Sequence, residues 1–90
     1  VRPEDIAPGA ATELEHRYRL VRLDGVAVTQ AGGEGPPLVI EGLLPVSSYL
    51  AGFDPSAYPV GTRFARLLGV VDYHGGSQLA PRGAADMVAE

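Results

Sequence analysis

Two stretches, RYRLVRLDGVAVTQ (17–30) and TRFARLLGVVDYH (62–74), decide how this chain folds. Each alternates apolar and polar side chains over most of its length, the period of a half-buried β-strand. In the first, Arg19, Val21 and Leu23 share one face, and Tyr18, Leu20, Arg22 and Asp24 share the other. Val26 and Val28 resume the apolar alternation beyond Gly25. Gly69 interrupts the second stretch in the same way. A glycine inside a long strand marks a bulge, a bend or a close backbone approach. Both strands are therefore predicted to bend at their glycines, far enough for the first to serve two sheets.

Working outward, AGGEGPP (31–37) is a turn cluster and LVIEG (38–42) a short strand. LLPVSSYLA (43–51) is another, in which Pro45 limits pairing to an edge or a kink. GFDPSAYPVG (52–61) is a loop, because Asp54-Pro55 and Tyr58-Pro59 force extended geometry before each proline. Gly75-Gly76 is a two-residue hairpin signal, and SQLAPR (77–82) is its return strand. GAADMVAE (83–90) closes the chain as a final strand or one short helical turn. Residues 1–15, VRPEDIAPGAATELE, show no period and read as a leader or linker, although Thr12 and Glu15 have capping-box spacing. The domain proper is then expected over 16–90. About five strands without a convincing helix predict an all-β fold, a small OB-type barrel, because a flat five-stranded sheet would leave one face unburied. An SH3-like barrel is the alternative on pattern alone.

The 90 residues are enough for one small core, with a folded surface near roughly 5,000 Å². A composition 46% hydrophobic and 20% charged excludes a wholly disordered chain. No run approaches a membrane-spanning length, so no membrane partner is expected. The absence of cysteine excludes disulfides and thiolate metal sites and leaves the redox compartment open. The net charge of −4 has the wrong sign for gripping nucleic acid by bulk electrostatics. All seven basic residues are Arg, which suits either a GC-rich genome or planar recognition of phosphate and carboxylate. The chain begins at Val1 rather than Met and is expected to be cut from a longer protein, with any signal peptide upstream.

The segment GVVDYHGGSQLAPRGAADMV (69–88) resembles the OB-fold modules that accompany secreted bacterial nucleases. The likeness rests on a Gly-Val-Val strand (Gly69, Val70, Val71), an aromatic (Tyr73) and a Gly-Gly hairpin (Gly75, Gly76). It continues through Gln78, Leu79, Pro81 and Arg82 to a closing Asp86. VGTRFARLLG (60–69) is similar to the family's lead into that strand, and the N-terminal half matches in outline only. The resemblance implies a non-catalytic accessory barrel in a secreted or cell-envelope protein, in contact with single-stranded DNA or RNA or with an adjacent domain of the same chain.

No catalytic constellation stands out, and no cofactor is expected. His16 and His74 are the only histidines, and Asp72, His74 and Asp86 are too few to define a metal site. Ser47, Ser48, Ser56 and Ser77 lack a nucleophile elbow, and AGGEG lacks the Lys-Ser/Thr of a P-loop. The candidate nucleic-acid contacts are Arg22, Tyr49, Arg63, Arg66, Tyr73 and Arg82, since OB barrels combine aromatic stacking with a basic groove. Strand parity puts Arg63 and Arg66 on opposite faces, and residues 38–51 offer Tyr49 without a base. The competing expectation is that these arginines pair with Asp24, Glu41 and Asp72 across the barrel surface. Phe64 is expected in the core, and Phe53 and Tyr58 at one open end of the barrel.

Overall fold

The structure is a computed structural model that describes residues 1–10, 12–32, 36–50, 52–73 and 76–90. His74 and Gly75, with the expectations placed on them, lie outside the described residues, as do Gly33, Glu34 and Gly35 of the glycine cluster. The elements are α1 (Pro3–Ile6), α2 (Glu13–His16), β1 (Leu20–Leu23), β2 (Val26–Ala31), β3 (Leu38–Ile40), β4 (Leu44–Val46), β5 (Arg63–Tyr73), β6 (Ser77–Ala80) and β7 (Met87–Ala89). The fold is all-β, a small OB-like barrel, and among the described residues its helices are single turns.

The first long alternation is one strand broken in two. Gly25 adopts a left-handed φ of +62°, the conformation a residue without Cβ reaches at least cost. The break lets β1 and β2 pair with different stretches of the same edge of β5: Val21 faces Gly69 and Val26 faces Phe64. From β2 the ring runs antiparallel through β3 to β4, then parallel from β4 to β6 at Val46 and Leu79, and antiparallel back to β5. β5 closes the ring. Below β6, β7 occupies the rest of that second edge, with Leu67 opposite Met87. Residues 83–90 therefore form both a 3-10 turn (Ala84–Asp86) and a strand.

Gly69 marks a close backbone approach to β6 and not a bulge: its register with Val21 is continuous, and the irregularity in β5 lies between Phe64 and Arg66. Two other expectations are corrected. β4 is no edge strand despite Pro45; its pairing with β6 is carried by Val46 and by the Ser47 N–H, which donates to the Leu79 carbonyl at 2.7 Å, both beyond the proline. Residues 1–15, read as a leader, fold back on the barrel: α1 packs on β4, Pro8 approaches Gly76, and Ile6 is fully buried in the core. α2 forms without the capping box, because the Thr12 hydroxyl donates to the Asp5 carbonyl instead.

The core follows from the alternation. Val21, Leu23, Val26, Val28, Leu38, Ile40, Leu44, Val46, Phe64, Leu67, Val71 and Leu79 point inward. Phe53 and Tyr58 cover the end of the barrel where β5 begins, with the Tyr58 ring 5.3 Å from that of Phe64. Their loop is held by a 3-10 turn, Pro55–Ala57, whose cap Asp54 accepts from the Ser56 N–H and hydroxyl. The exposed surface of 4762 Å² is close to the area expected from the chain length.

Candidate nucleic-acid interface

Four of the six expected contacts are cations, and most are already engaged. The Arg22 Nε donates to Asp24 at 2.7 Å. Arg63 donates from Nε to Glu90 at 3.0 Å and from Nη2 to the Gly25 carbonyl at 2.8 Å. Arg82 clasps Asp86 through both Nε and Nη2, at 2.9 and 3.0 Å. Arg66 is half-buried and donates from Nη2 to the Ala85 carbonyl at 3.3 Å. Of the carboxylates expected as partners, Asp24 takes an arginine. Glu41 accepts from the Ala27 N–H and Asp72 from the Tyr73 N–H.

Parity misplaced Arg63 and Arg66. The irregularity between Phe64 and Arg66 shifts the phase of β5, so Phe64 and Leu67 both point inward and Arg63 and Arg66 both lie on the outer side. Even so they do not pool their charge, because each is bound to a different C-terminal group.

The Asp86 carboxylate is buried, and it also accepts from the Arg82 backbone N–H at 2.9 Å. The Arg82 hydrogen bonds hold its pKa below the usual carboxylate range, against the opposing effect of burial. Asp54 is held low by its hydrogen bonds from Ser56. Both carboxylates carry structural bonds.

The two aromatics stand apart. Tyr49, in the loop beyond β4, is 72% exposed, and its N–H donates to the Ser47 hydroxyl. Tyr73 ends β5, partly exposed, with the Arg17 guanidinium 4.1 Å above its ring. This cation–π contact was not anticipated. Alternation puts Arg17, Tyr18 and Arg19 in a continuous strand, with Arg19 on the face of Val21 and Leu23, but the strand begins at Leu20 and Arg19 is exposed where those two are buried. The signal available in the sequence was the run of one His, two Arg and one Tyr at 16–19.

Elsewhere, a groove of about 400 Å³ is lined by Ala31, Gly32, Pro55, Ser56, Pro59 and Val60. Its one polar side chain, Ser56, is bonded to Asp54, so its walls are apolar. Among the described residues, no three His, Asp or Glu side chains converge as metal ligands. Compared with protein-family models, curated proteins and solved structures, the chain matches none.

Proposed function

We propose that this chain is a non-catalytic accessory module of a larger, secreted, bacterial nuclease-like protein, and that it makes a weak, local contact with single-stranded nucleic acid. One observation carries the reading: a guanidinium and an aromatic ring, Arg17 and Tyr73, stacked together at the rim of an OB-like barrel. Single strands are bound by such pairs of stacking surface and cation. The net charge of −4 sets the scale, since a repelling global field leaves affinity to a few local groups. Dissociation constants no tighter than roughly the 10⁻⁴–10⁻⁶ M of non-specific binding are expected. An NMR titration with a short oligonucleotide at low ionic strength tests this. Shifts at Tyr73 and Arg17 are expected, and an unchanged spectrum at millimolar oligonucleotide would end the reading.

A second reading, docking to an adjacent domain of the same protein without nucleic acid, has its own observation. Arg22, Arg63 and Arg82 are matched to carboxylates, while Leu20 and Val88 leave apolar surface exposed on β1 and β7. In the longer protein, protection of the Leu20 and Val88 side chains from solvent, with no oligonucleotide binding, would favour it.

A further inference from the structure

We infer that the single strand is met at the rim where β1 begins and β5 ends, by Arg17, Tyr18, Arg19 and Tyr73, and not on the β3–β4 face. This rests on the single-strand reading above and gives it a location.

The placement comes from backbone bonds. The Tyr18 N–H donates to the Val71 carbonyl, and the Val71 N–H donates to the Arg19 carbonyl at 2.9 Å. With Leu20 opposite Val70, these bonds carry the β1–β5 ladder past its regular end and set residues 17–19 against 71–73. The stacking of Arg17 on Tyr73 continues the same register.

Tyr18 is the unusual residue. Its φ is +64°, and among the described residues Glu41 is the other non-glycine in the left-handed region, there in the turn between β3 and β4. A bulky L-residue resists this conformation, and strain of this kind clusters at functional sites. Burial of the ring does not offset the strain, because Tyr18 is 69% exposed. The conformation instead presents a flat aromatic face to solvent, one residue from each of two guanidinium groups. Among the described residues the Arg19 guanidinium has no carboxylate partner, unlike those of Arg22, Arg63 and Arg82.

The chemistry selects the ligand. Tyr18 offers a platform for a base, every base having a π-face, and Arg19 offers planar donors to a phosphate oxygen. Asp72 lies opposite Tyr18 when the β1–β5 register is extended, and its carboxylate accepts the Tyr73 N–H; its negative charge works against a phosphodiester at this rim. Strands β3 and β4 hold no cation.

The test uses the 90-residue chain and fluorescence anisotropy of a labelled oligothymidylate. Tyr18→Gly removes the ring at a backbone position that suits glycine, so the fold is kept, as circular dichroism verifies. Binding should weaken roughly tenfold or more, with Tyr18→Phe retaining it. Arg19→Gln should weaken it and flatten the salt dependence by roughly 0.7 in log–log slope, the value for one phosphate on a single strand. Asp72→Asn should tighten it several-fold. Binding that survives Tyr18→Gly and is lost with Tyr49→Ala would overturn the rim site and leave the single-strand reading standing. No binding by any variant, Asp72→Asn included, would overturn both, in favour of the docking module.

Discussion

At Gly69 a methyl group would stand 2.8 Å from Leu79 Cγ and 3.0 Å from the Ala80 carbonyl. Leu79 is fully buried, so its branch point cannot swing aside, and the β6 backbone cannot shift without opening the ring. Gly69→Val should therefore cost about 1–3 kcal/mol through overpacking. A lowered denaturant midpoint checks this, and an unchanged one would mean that the sheet yields at no cost. The Asp86 carboxylate is the matching polar case. Its folded pKa is depressed, so its contribution is complete above the ordinary Asp value of about 3.9 and is lost as pH falls through the lower folded value. Asp86→Asn should cost about 1.5–3 kcal/mol at neutral pH, the range for hydrogen bonds to a charged group. It should also shallow the loss of stability on acidification. Urea melts at neutral and acid pH measure both effects. Phe64 in the core and the special position of Gly69 were legible, because neighbouring alternation makes each stand out. The left-handed Tyr18 was not, since no residue-type pattern marks a tyrosine for that conformation.

Among the elements, α1 contributes more than its four residues suggest. Ile6 is fully buried, and α1 packs on β4, so the N-terminal segment belongs to the barrel's core. Ile6→Ala should cost about 2–5 kcal/mol, as for other buried aliphatic truncations. Thermal melting measures it, and a change within error would return residues 1–15 to the status of a leader. This segment escaped sequence reading for a physical reason. A single helical turn has no room to repeat a pattern, and its buried residues, Pro3 and Ile6, find their slots only in the folded barrel. The strands were legible because alternation over several residues reports directly on two-sided burial. Where a strand was irregular, as β5 is between Phe64 and Arg66, parity beyond that point gave the wrong face.

Across the whole molecule, the ring joins segments far apart in sequence, and its closure is uneven. β5 is paired along both edges, to β1 and β2 on one side and β6 and β7 on the other. The joint between β4 and β6 rests on one register pair and the Ser47 bond, linking residue 46 to residue 79. The turns and alternation announced the strands, but nothing local announced this joint, because parallel contacts across such a separation leave no short-range trace. Amide hydrogen exchange should therefore divide the barrel. The Ser47 N–H is expected to exchange through local opening at low free energy, and the Val71 N–H, on a strand paired along both edges, only with global unfolding. Equal protection at the two sites would refute that order. The same asymmetry bears on force. A joint held by one register pair and one hydrogen bond is the weakest in the ring, even though β1 and β5 join residues farther apart in sequence, so it parts first under load. Whatever pulls this domain open in service will peel it from β4.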